Sequence, residues 1–148
     1  MKSSIKSRAD VLQLLVDILN DSQSLKCKFD ELHKERESLC LSTIGESKST
    51  EVDADVTGTY VNGTLIAMIR YRVPASSISA RGDLEAIGFV DNLYEKMKLA
   101  CMGIDIEGFY FTNIVLMDGC KLVNVYDGGI RDFELKFSAS YERKKSIA

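Results

Sequence analysis

Between Arg8 and Leu19 the apolar residues recur at helical spacing: Val11, Leu12, Leu14, Leu15, Ile18 and Leu19 form one broad stripe, with Arg8, Asp10, Gln13 and Asp17 opposite. Asn20 and Asp21 end this first helix. The period then drops to two. Leu25, Cys27 and Phe29 alternate with Lys26, Lys28 and Asp30, and Leu39, Leu41 and Thr43 follow a charged turn at 33–37, so two short strands are expected. Residues 56–61 and 64–73 alternate around Asn62-Gly63, the dipeptide that most favours a tight hairpin, because a type I′ turn needs φ > 0 at both central residues. Leu65, Ala67, Ile69, Tyr71 and Val73 face one way in the second of these strands, Arg70 and Arg72 the other, and Pro74 stops it.

After a connector at 75–82, Asp83 is placed to cap a second helix whose apolar positions are Leu84, Ile87, Val90, Tyr94, Met97 and Cys101, with Gly103 as a left-handed stop. Three strands complete the chain, at 109–117, 121–126 and 130–141, with turns at Asp118-Gly119 and Asp127-Gly128-Gly129. The last has the cleanest alternation: Phe133, Leu135, Phe137, Ala139 and Tyr141 against Asp132, Glu134, Lys136, Ser138 and Ser140. The order is α-β-β-β-β-α-β-β-β. Tight turns impose antiparallel pairing, and two helices are too few to cover both faces of such a sheet. The expected fold is therefore α+β, a mainly antiparallel sheet with both helices packed on one face.

Composition adds limits. A chain of 148 residues fits a single domain spanning 1–148, and 45% apolar with 28% charged residues is ordinary for a soluble globular protein. No apolar run is long enough to span a bilayer, so no membrane association is expected. The basic start lacks a cleavage-site pattern, so a secretory signal is not expected. Residues 45–55 are nearly all polar and form the candidate flexible loop, and 142–148 read as a polar tail. Cys27, Cys40, Cys101 and Cys120 are widely spaced, without a C-x-x-C pair, which favours buried, reduced thiols in a cytosolic setting over zinc or disulfides.

Catalytic signals are sparse. His33, the only histidine, stands in a run of charges with no nearby serine or cysteine nucleophile in sequence, so a solvated turn histidine is expected. Asp53 and Asp55 lack the remaining ligands of a calcium loop, and no glycine-rich turn lies between a strand and a helix N-terminus. Arg70 and Arg72 interleave with Tyr71 as in sheets that bind single-stranded nucleic acid, but ring and guanidinium groups point to opposite faces. The reading is a protein without cofactor or metal, not an enzyme, and without direct nucleic-acid recognition.

Several of these features together resemble the tail terminator proteins of long-tailed bacteriophages, also known as minor capsid or tail-completion proteins. In that family a Tyr-x-x-Gly hairpin leads into a strand ending in Tyr-Arg, as in Tyr60-Val61-Asn62-Gly63 and Tyr71-Arg72. A helix with aspartate and leucine near its middle follows, as in Asp91-Asn92-Leu93, and then an Asp-x-Gly turn before a strand ending in tyrosine, as in Asp127-Gly128-Gly129 and Tyr141. The resemblance covers residues 8–143 and implies a hexameric ring that ends growth of the tail tube and presents a surface to a head-completion or connector protein. It further implies a place in a virion or phage-like tail particle assembled in the bacterial cytoplasm. Under that reading Glu46, Lys48, Glu51, Asp53 and Asp55 of the polar loop, with the 74–82 connector, are expected to meet the tube protein. Arg70, Arg72, Glu134 and Lys136 are the expected subunit-contact face. The alternative is a small non-enzymatic α+β binding or assembly-chaperone module that accepts a peptide on its open sheet.

Overall fold

The computed structural model describes residues 5–34, 36–44, 49–74 and 82–145. Helix α1 (Arg8–Ser22) is followed by β1 (Cys27–Phe29), β2 (Ser38–Thr43), β3 (Thr50–Asp53) and β4 (Tyr60–Val73), then by α2 (Asp83–Met102), β5 (Phe109–Val125) and β6 (Arg131–Lys144). Among the described residues six strands form one sheet in the order β1-β2-β4-β6-β5, with β3 beside the first half of β4. All pairings are antiparallel except β1 with β2. The expected α+β architecture holds, with both helices on one face of a mainly antiparallel sheet.

Helix α1 starts where its sequence provides reciprocal caps. The Ser7 hydroxyl accepts the Asp10 N–H at 3.4 Å, and the Asp10 carboxylate accepts the Lys6 N–H at 2.8 Å. At its other end the Asn20 amide accepts the Cys27 N–H at 2.6 Å and donates to the Cys27 carbonyl at 3.1 Å, which fastens the helix to β1. The start of α2 differs from expectation. Gly82 is the N-cap, without a side-chain cap, and Asp83 sits in the first turn, where its charge favours the positive end of the helix. Its buried stripe is Ala86, Val90, Leu93, Tyr94, Met97 and Cys101, while Leu84 is 86% exposed. Gly103 ends the helix in the right-handed region, its N–H donating to the Ala100 carbonyl at 3.1 Å.

The core lies between the helices and the odd-numbered face of β4 and β6. Phe133, Leu135, Phe137, Ala139 and Tyr141 are all buried, opposite Tyr71, Ile69, Ala67, Leu65 and Gly63 in the β4–β6 register. Each large apolar side chain so covered contributes about 1.5–3 kcal/mol relative to exposure.

Of the three turns expected at Asn62-Gly63, Asp118-Gly119 and Asp127-Gly128-Gly129, the first two do not form. Asn62-Gly63 is no hairpin; it lies inside β4, and Gly63 is a seat for the Tyr141 ring, since a Cβ there would fall 2.1 Å from Tyr141 Cζ. The hairpin turn is instead at 54–59, between β3 and β4. There the Ala54 N–H donates to the Tyr60 carbonyl at 2.9 Å, Gly58 adopts φ +70, and the Asp55 carboxylate accepts from the Thr57 hydroxyl and the Thr59 N–H. Residues 50–53, expected within a flexible loop, form β3, whereas 45–48 and the 75–81 part of the connector lie outside the described residues.

Asp118-Gly119 also fails to turn. Residues 109–125 make one strand whose register against β6 shifts at four places, and the Asp91 carboxylate of α2 accepts the Cys120 N–H at 3.0 Å within the shifted region. The third turn, Asp127-Gly128-Gly129, forms as expected: Gly128 and Gly129 take φ +83 and +84, and the Tyr126 N–H donates to the Ile130 carbonyl at 2.8 Å. Beyond it β6 continues to Lys144, so 142–144 belong to the sheet and not to a tail.

Candidate functional site

On the even-numbered, outer face of the sheet, β4, β6 and β5 carry a ladder of charges in register. Arg70 stands opposite Glu134, with Nε 3.4 Å from Oε2, and Arg72 grips Asp132 through Nε–Oδ1 at 2.7 Å and Nη2–Oδ2 at 2.8 Å. The Tyr126 hydroxyl donates to Asp132 Oδ2 at 2.8 Å, and the Arg72 guanidinium lies 5.2 Å from the centre of the Tyr126 ring. Asp132 is fully buried beneath these groups. Burial pushes its carboxyl up, but the Arg72 and Tyr126 hydrogen bonds outweigh that and hold it below the ordinary carboxylate value. Lys136 faces Asp118 of β5, Nζ to Oδ2 4.0 Å. The residues expected as a subunit-contact face, Arg70, Arg72, Glu134 and Lys136, are thus brought together, and each has a carboxylate or cation partner within the chain.

The expected tube-contact residues that the structure describes have partners within the chain. Glu46 and Lys48 lie outside the described residues. Glu51, in β3, is held against the end of the core: it accepts from the Tyr141 hydroxyl at 2.6 Å and from Arg143 Nε and Nη2 at 2.8 and 2.7 Å. The Arg143 hydrogen bonds hold the Glu51 carboxyl below its ordinary value. Arg143 Nη1 also donates to the Lys6 carbonyl at 3.0 Å, and Arg8 donates to the Ser49 carbonyl at 3.0 Å. This cluster ties the N-terminal segment, β3 and β6 to one another. Asp53 pairs with Lys145 at 2.5 Å, and Asp55 builds the 54–59 turn.

Groups with catalytic potential have structural partners. His33 Nδ1 accepts the Arg36 N–H at 3.1 Å, and the Ser38 hydroxyl accepts the His33 main-chain N–H at 3.0 Å, so both shape a turn. The four cysteines are buried and unbonded to one another. Burial pushes the Cys27, Cys101 and Cys120 thiols up to about 12, which keeps them protonated and poorly nucleophilic. Among the described residues no group of three or more His, Cys, Asp or Glu side chains is placed to hold a metal ion. A groove of about 730 Å³ between α1 and residues 103–107 is lined by Ile18, Ile104 and Ile106 and by the carboxylates Asp17, Asp21, Asp105 and Glu107. It contains no nucleophile beside a base.

The feature that sequence reasoning missed is the border strand. β5 is the last strand of the sheet, and its outer edge faces no other strand among the described residues. Val115, Leu116, Met117, Leu122, Val125 and Tyr126 are all exposed, Val125 by 64%. Exposed large apolar side chains gathered on one long edge mark an association surface or an aggregation hazard. The signal was present as a stretch from 109 to 126 with no proline and only two charges, Asp118 and Lys121, but Asp118-Gly119 divides it when read as a turn. Compared with models of known protein families and with curated proteins, the sequence matches none.

Proposed function

We propose that the chain is a structural part of a phage or phage-like tail particle, which caps the tail tube, ends its polymerisation and offers a surface to a head-completion or connector protein. The resemblance in element order and in the Asp127-Gly128-Gly129 turn supports this reading, and its hexameric ring is part of the proposal. The observation that carries it is the division of the sheet: an outer face whose charges pair among themselves, bordered by a long edge strand with exposed apolar side chains. Such a plate is suited to assembly, because it presents defined surfaces to partners and places polar side chains in support of one another. Deleting the gene from the genome that encodes the particle tests the proposal. Tails of unregulated length and heads without tails are expected; intact particles with tails of normal length would sink it.

The exposed edge of β5 also favours the second reading, a binding or assembly-chaperone module that takes up a peptide as an added strand. In that case the purified protein binds extended apolar peptides as a monomer, and the deletion strain assembles tails of regulated length.

A further inference from the structure

We infer that β5 is a homodimer seam: two copies pair their β5 strands antiparallel about a two-fold axis between Gly119 and Cys120, joining two sheets into one. The inference does not rest on the tail reading. It rests on a self-complementarity in the strand itself.

In such a pairing Asp118 faces Lys121 of the second copy, Val115 faces its Asn124, and Ile114 faces its Val125. Residues that face one another across antiparallel strands must lie on the same side of the sheet. A regular strand would fail this test, because the paired positions differ by odd numbers. β5 passes it through its register shifts. Three residues of β5 span two of β6 between Asp118, opposite Lys136, and Lys121, opposite Glu134, so both side chains fall on the outer face. Val115 and Asn124 are likewise outer, opposite Ser138 and Asp132, while Ile114 and Val125 are on the helix side, opposite Ala139 and Arg131.

Charge selects this register from its neighbours. Sliding the strands by three residues in one direction sets Asp118 against Asp118, and in the other Lys121 against Lys121. The central register instead extends the ladder already present in each chain: Arg70, Glu134 and Lys121 on one side continue into Asp118 and Lys136 of the second copy, with sign alternating at every step. At the axis Gly119 leaves room for close approach, since a Cβ there would meet nothing within 4 Å. The seam covers the exposed apolar residues from Val115 to Val125. It is isologous, and so differs from the head-to-tail contact that closes a ring.

The test is sedimentation over a concentration series for the full chain and three variants. The unaltered protein should form a dimer. Asp118→Lys and Lys121→Asp each place like charges opposite one another twice per dimer and should weaken it by about tenfold or more. The double variant D118K/K121D restores opposite charges across the seam while setting like charges against Lys136 and Glu134 within each chain, so it should dimerise more tightly than either single variant and more weakly than the unaltered protein. Both positions are exposed, and circular dichroism verifies that each variant folds. Mixed Val115→Cys and Asn124→Cys proteins should form a disulfide between copies in greater yield than either protein alone. A strict monomer at the highest soluble concentration, a ring insensitive to both single changes, or a double variant no better than the singles overturns the inference.

Discussion

Replacing Gly63 by alanine measures how the two ends of the core fit together. A Cβ at this position would lie 2.1 Å from Tyr141 Cζ and 2.5 Å from Cε2 and Oη, well inside any tolerated contact. The ring has no slack: Tyr141 is buried, and its hydroxyl is committed to Glu51, which also holds Arg143. Moving the ring costs about 1–3 kcal/mol in overpacking, and losing the hydrogen bond to a charged acceptor costs about 1.5–3 kcal/mol more if it breaks entirely. Partial relaxation places the expected loss at about 2–4 kcal/mol, or roughly 5–15 °C in Tm for a chain of this size. Without the steric conflict the sign reverses, because glycine inside a strand is about 0.5–1 kcal/mol worse than alanine. Urea unfolding followed by circular dichroism separates the two outcomes. Gly63→Ala as stable as the unaltered protein would refute the packing argument, and in a Tyr141→Ala background the same change should be neutral or stabilising.

Tyr94 lies buried on α2 with no hydrogen-bond partner for its hydroxyl among the described residues, so Tyr94→Phe should match or exceed the original stability, by up to about 1 kcal/mol in urea unfolding. Asp132→Asn leaves Arg72 without its carboxylate and should cost about 2–3 kcal/mol, less than for a wholly buried pair because Arg72 keeps some contact with water. Glu51 and Asp132 are both held below their ordinary values of 4.5 and 3.8 when folded, so the unfolded chain takes up their protons first. Their contribution is complete above those values and is lost as pH falls through the folded ones; Glu51→Gln should flatten the stability profile in that acid window, and an unchanged slope would exclude Glu51 from it. The cysteines should resist a thiol reagent at pH 8 in the native protein and react after unfolding; rapid native labelling would contradict their burial.

Elements were legible where side-chain periodicity was strong and two-sided. β6 and the two helices follow directly from alternation or helical stripes, because burial on one face dictates the pattern. Turns were less legible where a local signal served a distant contact. Gly63 reads as half of a hairpin turn, yet it is required by an aromatic ring on β6, seventy-odd residues away in the chain. Asp118-Gly119 reads as a turn, yet the residues around it remain paired with β6 and Asp91 of α2 captures a nearby N–H. Glu51 looked like loop charge because its partners, Tyr141 and Arg143, come together with it only when β3 and β6 flank β4. The outer-face charges were legible as a group from their phase in β4 and β6, but their mutual pairing depended on register, which sequence leaves open.

The place of β6 between β4 and β5 governs the order in which the molecule can be made. β4 emerges from the ribosome first, then α2, then β5, and both strands must wait for the one that separates them. During that interval each has an unfilled edge, and since both run antiparallel to β6 they are parallel to one another, the arrangement a strand–helix–strand unit adopts by direct pairing. Premature closure of β4 on β5 shuts the slot that β6 must enter. Closure of the sheet therefore lags formation of the helices, and the tight turn at 126–130, which delivers β6 beside β5, favours the chain's own β6 over a neighbour's.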